Sequence, residues 1–194
     1  MTPRVLRAAD RTAVPWKNGG GVTREIALSP EGASMDDFDW RISLADVAAD
    51  GPFSAFPGIA RTLTVVEGAG MDLMVGGQQV LAAERYRPYD FPGDVETDGR
   101  LLAGPVVNFN VMYRGGRTAA LTSVVRGGLL VVVPAGSTVV IVALDGPTVL
   151  KEAGVTLGLC DAVVLDESPG SLRTEGHAAV VTLRSAAGQA PGTQ

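Results

Sequence analysis

Phe38-Asp39-Trp40-Arg41-Ile42-Ser43-Leu44-Ala45 alternates large apolar side chains with polar or small ones at every step. A period of two marks a half-buried strand, because successive side chains leave a β-strand on opposite faces. The stretch lies inside Ala33–Asp50, the longest segment of the chain without Gly or Pro. Elsewhere breakers recur at short, nearly regular intervals. They leave Arg4–Val14, Val22–Ser29, Ile59–Glu67, Val106–Arg114, Arg117–Arg126, Ser137–Asp145, Leu159–Ser168 and His177–Ala187. Each is about one strand with its shoulders. Many short strands at this spacing predict an all-β sandwich or barrel with few, short helices. Ser43–Ala49 has room for a helical turn or two at most.

A second stretch needs a choice. Residues 127–144 carry no charge for 18 positions, close to the length of a spanning helix. Its middle, Pro134-Ala135-Gly136-Ser137-Thr138, is turn-forming, and its flanks, Leu129–Val133 and Val139–Val142, are rich in β-branched residues. Two buried strands around a turn fit better than a membrane helix.

The composition agrees. Of 194 residues 46% are apolar and 19% charged, and mean hydropathy is +0.22, which excludes disorder. Glycine and proline, 25 and 12 residues, exceed their usual share and disfavour long helices. The net charge is −5 with no basic block, a poor basis for holding nucleic acid. A single cysteine excludes an internal disulfide and fits a reducing compartment. The opening Met1–Arg11 has no apolar signal segment, so a cytoplasmic protein is expected. A weak internal repeat pairs Leu63–Gly68 with Ile141–Gly146, each an apolar strand closed by acid-Gly.

Four signatures then stand out. The first is Pro15-Trp16-Lys17-Asn18-Gly19-Gly20-Gly21-Val22-Thr23-Arg24-Glu25. The second is Phe38–Ser43, and the third is Asp50–Ser54 with Phe56-Pro57-Gly58 and Arg61. The fourth is Phe91-Pro92-Gly93-Asp94 with Gly104-Pro105 and Phe109–Met112. In this order they resemble the HutD/Ves family over Pro15–Arg114, whereas the C-terminal part resembles it only in its β pattern. The resemblance implies a double cupin: one half over residues 1–115, a second over 116–185 and a flexible tail over 186–194. It also implies a link to histidine utilisation, as a modulator of the pathway. One departure is Asn108, where the family usually carries an acid before Phe109.

The candidate ligand-binding residues are Trp16, Lys17, Asn18, Thr23, Arg41, Ser43, Arg61, Phe91, Asn108, Asn110 and Met112. The three glycines after Asn18 suit either an anion-holding nest beside Lys17 or a tight loop plugged by Trp16. The spacing is not that of a P-loop. Arg41 and Ser43 share a strand face, as do Arg61, Leu63 and Val65, and as do Asn108, Asn110 and Met112. Parity does not say whether these faces meet a lumen or solvent. Arg61 is placed either to meet an acid or to clip to Asp50 or Asp94. A paired amide face is unusual for a strand and needs partners, whether ligand, water or solvent. Phe53, Phe56 and Phe91 suit core or ligand wall, and Cys160 a small buried hydrophobe.

No cofactor is expected. His177 is the only histidine, so a His-rich metal site cannot be assembled in one chain. No G-x-S-x-G elbow, Ca²⁺ loop or dinucleotide fingerprint occurs, and a Cys160–His177 pair has no third member the sequence can name. The expected function is metal-independent binding of a small carboxylate metabolite, of the urocanate or formylated-glutamate class, in the first barrel. The expectation includes no nucleic acid and no membrane. Two alternatives stand beside it. One is a metal-free isomerase or hydrolase with Asp94 or Glu25 as general base. The other is a ligand-free homodimer formed through an exposed sheet.

Overall fold

The computed structural model describes residues 3–17, 19–81, 84–166 and 170–186. In chain order the strands are β1 (Arg4–Leu6), β2 (Ala13–Pro15), β3 (Gly21–Ser29), β4 (Trp40–Val47), β5 (Gly51–Pro52) and β6 (Ile59–Glu67). They continue with β7 (Met71–Val75), β8 (Gln78–Leu81), β9 (Tyr89–Pro92), β10 (Thr97–Leu101), β11 (Val106–Arg114) and β12 (Thr118–Val131). The last are β13 (Ser137–Ala143), β14 (Thr148–Leu150), β15 (Val155–Leu157), β16 (Ala162–Leu165) and β17 (Gly170–Ser185). The protein is all-β; among the described residues the helical content is one 3-10 turn, Ala8–Asp10. No helix among them is long and apolar enough to cross a membrane. The uncharged stretch becomes the end of β12, a turn with Ser137 N–H donating to the Pro134 carbonyl at 3.0 Å, and β13.

Breakers located many strand ends but not all. Ile59–Glu67 and Val106–Arg114 are strands over the bounds the sequence suggests. Gly127 and Gly176, in contrast, do not stop their strands. Arg126 pairs with His177 while Gly127 pairs with Thr174, so Glu175 and Gly176 form a bulge and both strands run on. Glycine inside a strand commonly marks such a bulge. Ser43–Ala49 holds no helix; β4 extends to Val47.

The chain divides into two compact units, one of residues 11–113 and one from Arg114 onward that also takes the N-terminal segment up to Asp10. The expected first half therefore differs at its N-terminus. β1 joins the second unit because its backbone completes a ladder with β16, Arg4 opposite Val164 and Leu6 opposite Ala162. The Asp161 carboxylate reinforces this, accepting from Arg7 Nη1 and Ala8 N–H at 2.7 Å each and from Gly158 N–H at 3.0 Å. Apart from Ala186, the expected tail lies outside the described residues.

In the unit of residues 11–113, one sheet has the order β2-β3-β4-β11-β6-β9 and another β5-β10-β7-β8. Ala45, Val47, Leu63, Val65, Phe91 and Val106 of the first sheet share a core with Met71 and Leu73 of the second, so the two sheets pack face to face. β4 is not half-buried as its alternation predicts: Ile42 and Leu44 on one face and Ser43 and Ala45 on the other are all buried. In the other unit the order is β1-β16-β13-β17-β14-β15, with β12 also on β17. Leu150 and Leu157 meet Ile141 and Val163 in one core, so this sheet folds over itself, turning at the β17 bulge. The two halves of the internal repeat fall on β6 and β13, one in each unit.

Candidate functional site

The ladders of the six-stranded sheet bring the separate polar faces together. Ala45 and Val47 point into the core between the sheets, so by parity Arg41 and Ser43 are directed to the same side. Asn108 stands opposite Ala45, Asn110 opposite Ser43 and Met112 opposite Arg41. On the other flank Thr23 stands opposite Ala45 and Glu25 opposite Ser43. Leu63 and Val65 are core residues, which puts Arg61 on the inner face of β6. Thr23, Arg41, Ser43, Arg61, Asn108, Asn110 and Met112 thus share one inner face.

Their roles on that face differ. Asn108 is buried; its Nδ2 donates to Met71 Sδ at 3.2 Å, and its Oδ1 has no partner. Asn110 donates weakly to the Asn108 carbonyl, at 3.4 Å. Met112 packs with Phe38 and Ile59 in a small apolar cluster. Arg41 is already paired, its Nε donating to Glu25 Oε2 at 2.9 Å. That ion pair engages two side chains proposed for other work: a free guanidinium and a general base.

Arg61 is the exception. Its guanidinium carbon lies 5.2, 5.5 and 5.0 Å from the ring centres of Phe53, Phe56 and Phe91. Phe91 is placed there by the β6–β9 ladder, which sets it opposite Arg61. Phe53 and Phe56 come from the loop between β5 and β6. Rings around a cation attract it through their negative faces but neutralise no charge. Arg61 makes no ion pair among the described residues; Asp50 accepts from Leu101 N–H instead, at 2.7 Å. Its hydrogen bond from Nη1 to the Ser54 carbonyl is long, at 3.4 Å, and its Nε is buried without a partner. Burial pushes its pKa down to about 10, because a desolvated charge is costly.

A cleft of about 410 Å³ opens beside it, lined by Gly58, Ile59, Ala60, Arg61, Asp90, Phe91, Pro92, Asp94 and Tyr113. Of the residues singled out in the sequence as candidates for the site, Arg61, Phe91 and Asp94 line this cleft, and Asn108 and Asn110 do not. Asp90 and Tyr113 were not anticipated. Asp90 alternates with Phe91 on β9 and Tyr113 with Met112 on β11, so both project from the sheet face opposite that of the Arg61 side chain.

The glycine-rich signature forms the β2–β3 turn. Trp16 N–H donates to the Gly21 carbonyl at 2.9 Å and Gly19 N–H to the Trp16 carbonyl at 3.0 Å, so the Gly19 N–H is used within the turn. These bonds close a tight turn between the strands. Trp16 packs against the core and its Nε1 donates to Thr23 Oγ1 at 2.7 Å. Lys17 is exposed, and Asn18 lies outside the described residues.

Among the described residues no three His, Cys, Asp or Glu side chains come together as ion ligands. His177 bonds Asp145 through Nδ1 at 2.8 Å. Cys160 N–H bonds the Ala143 carbonyl, and Leu144 N–H bonds the His177 carbonyl. Successive residues of a strand direct their backbone groups to opposite edges, so Cys160 and His177 sit on opposite sides of the Ala143–Leu144 strand end.

Known proteins share this fold. A HutD structure from Pseudomonas fluorescens SBW25, solved in a formate condition, superposes with a TM-score of 0.82 at 32% identity, covering 95% of this chain and 99% of that one. A conserved protein of unknown function from Pseudomonas aeruginosa PAO1 gives 0.82 at 32%, over 95% and 100%. A likeness of fold alone reaches the nickel(II)-bound pirin of Escherichia coli, at 0.62 and 10% identity over 94% and 98%. In sequence, the chain is 41% identical over 110 residues to an uncharacterized 21.2 kDa protein in the hutC 3′ region of Pseudomonas putida, which is 57% of each. It is 35% identical over 130 residues to Protein Ves of Citrobacter koseri, 61% of this chain and 66% of that one. The chain thus spans less than two thirds of either curated relative. The HutD family model matches residues 8–182, well beyond Pro15–Arg114 and across both units. This chain belongs to the HutD family.

Proposed function

We propose that this protein is a cytoplasmic double cupin that works in histidine utilisation by binding a small carboxylate metabolite, of the urocanate or formylated-glutamate class, without a metal ion. Membership of the HutD family and the hutC neighbourhood of the Pseudomonas putida relative support the pathway. The cupin-type likeness of the pirin supports the fold, one barrel for each compact unit. One observation carries the ligand class: Arg61 holds a guanidinium with no ion partner among the described residues against three phenylalanine rings on the inner face of β6. A carboxylate is the natural partner, since guanidinium grips it through two parallel hydrogen bonds that strengthen where water is excluded. The phenylalanines would exclude that water. Asn108 and Asn110 would orient Arg61's surroundings from the neighbouring strand.

Calorimetry with urocanate and N-formylglutamate tests this on the wild type, Arg61→Ala and Asn110→Ala. Binding lost in Arg61→Ala supports the reading. Binding unchanged in both variants removes the site. The enzyme alternative is weakened at Glu25, which is committed to Arg41.

A further inference from the structure

An edge strand leaves one row of backbone N–H and C=O groups without strand partners, and proteins keep such edges short, charged, bulged or broken by proline. Among the described residues, the edge strands β1, β2, β5, β8, β9 and β15 have two to four residues each. β12 is the exception, with 14 residues. Its whole length pairs with β17 along one side, and its other side has no strand partner among the described residues.

The internal repeat gives that free side a meaning. Counting outward from β6, the first sheet runs through β11, β4, β3 and β2; counting outward from β13, the other runs through β17 and β12 and stops. β12 thus holds the place of β4, and among the described residues no strand takes the place of the nine-residue β3.

Nothing blunts this edge. Before the bend at Gly127, β12 reads Thr118-Ala119-Ala120-Leu121-Thr122-Ser123-Val124-Val125-Arg126, nine residues with no proline and one charge, at the end. The bulge residues Glu175 and Gly176 are on β17, so the edge of β12 itself is uninterrupted. Leu121 is 67% exposed. At the centre of the segment, the Thr122 Oγ1 is buried and has no hydrogen-bond partner.

We infer that a second copy of this chain completes the sheet, its β12 pairing antiparallel with this one about a two-fold axis at Thr122. An antiparallel edge is its own complement under such an axis, as a closed dimer requires. Alignment at Thr122 overlaps all nine residues. It sets Leu121 opposite the partner's Ser123, and Thr118 opposite the partner's Arg126, so the two arginines lie at opposite ends of the ladder. It also sets Thr122 opposite the partner's Thr122, and threonines facing each other across strands hydrogen-bond through their hydroxyls. The orphaned oxygen gains its partner in this way. A strand of an unrelated chain would meet the backbone but would not bring that hydroxyl.

The test is the mass of the full chain in solution, by light scattering and sedimentation, at concentrations up to about 100 μM. Two double variants accompany the wild type. Leu121 and Ser123 are both exposed and share a strand face, so changes there leave each monomer's core intact, which circular dichroism checks. Leu121→Lys with Ser123→Lys sets like charges opposite each other twice across the axis. Leu121→Lys with Ser123→Glu sets opposite charges there instead. The expected result is a dimeric wild type, dissociation about tenfold or more easier in the first variant, and association close to the wild type in the second. A wild type that stays monomeric, or two double variants that behave alike, overturns the inference. The reading of Arg61 stands or falls separately, because that residue belongs to the other unit.

Discussion

Arg61 and Phe91 stand opposite each other across the β6–β9 ladder, and the guanidinium carbon of one lies 5.0 Å from the ring centre of the other. The ladder makes this contact a property of the backbone register rather than of a flexible side chain. A one-residue slip would send Arg61 to the opposite face. The same register holds Phe91 in the core with Leu63 and Val65. The cation is therefore positioned by the hydrophobic packing that its charge opposes.

The first prediction concerns that opposition. Arg61→Met removes a buried charge with no ionic partner and keeps the shape of the stem. Such replacements are commonly neutral or stabilising. The variant should match or exceed the wild type at neutral pH by up to about 2 kcal/mol in chemical denaturation, while losing the ligand. The pH dependence has a definite sign. The folded pKa is depressed to about 10, so between there and the ordinary arginine range the unfolded chain binds more protons. Wild-type stability then rises with pH in that window, and the advantage of Arg61→Met should shrink as pH climbs past about 10. An advantage that widens there would contradict the burial argument.

Asn108 supplies a second case of stability set against function. Its Oδ1 is buried without a partner, and its amide bonds only a thioether. Asn108→Leu preserves the approximate shape and removes the unsatisfied group. The thermal midpoint should rise, corresponding to about 1 kcal/mol. Scanning calorimetry decides it; a clear drop in the midpoint would mean that the amide is satisfied in solution, for instance by water.

Asp161 holds the N-terminal segment to the second unit. Burial pushes its carboxyl pKa up, but the Ala8 N–H, Arg7 and the Gly158 N–H together hold it below the usual range. A depressed carboxylate contributes stability above its unfolded pKa, near 4, and loses it as pH falls through the lower folded value. Asp161→Asn should cost about 1–3 kcal/mol at pH 7. It should also flatten the decline in stability of the wild type below about pH 4. Urea titrations at pH 7 and pH 3 measure both.

Gly68 closes β6 at φ +93°, and a Cβ there would come within 2.5 Å of the Pro105 carbonyl oxygen and 2.9 Å of Val106 Cγ1. Gly116, at φ +83°, has open space around it. Gly68→Ala should therefore destabilise by more than the ~1 kcal/mol of backbone strain expected for Gly116→Ala. Equal midpoints in the two variants would show that the close approach relaxes freely. Gly146, its counterpart in the internal repeat, likewise approaches a backbone, Gly176 N at 2.8 Å. Both acid-Gly endings therefore allow a second segment to cross closely.

The sequence by itself determined the all-β class, the course of strands such as Ile59–Glu67 and Val106–Arg114, and the grouping of side chains by face. These follow from local rules: breakers interrupt strands, and a period of two separates faces. The four signatures also identified the family. Local rules could not say which faces turn inward, because alternation is blind to what lies across the sheet; β4, buried on both sides, shows that limit. They could not foresee that Arg41 is paired with Glu25 while Arg61 is left with three rings, since a pairing depends on registers between strands far apart in the chain. Nor could they transfer β1 to the second unit, because three residues carry no pattern and their hydrogen-bond partners lie about 160 positions away. Tertiary structure decided these points because a charge's cost and a strand's membership depend on neighbours that only the folded chain brings near.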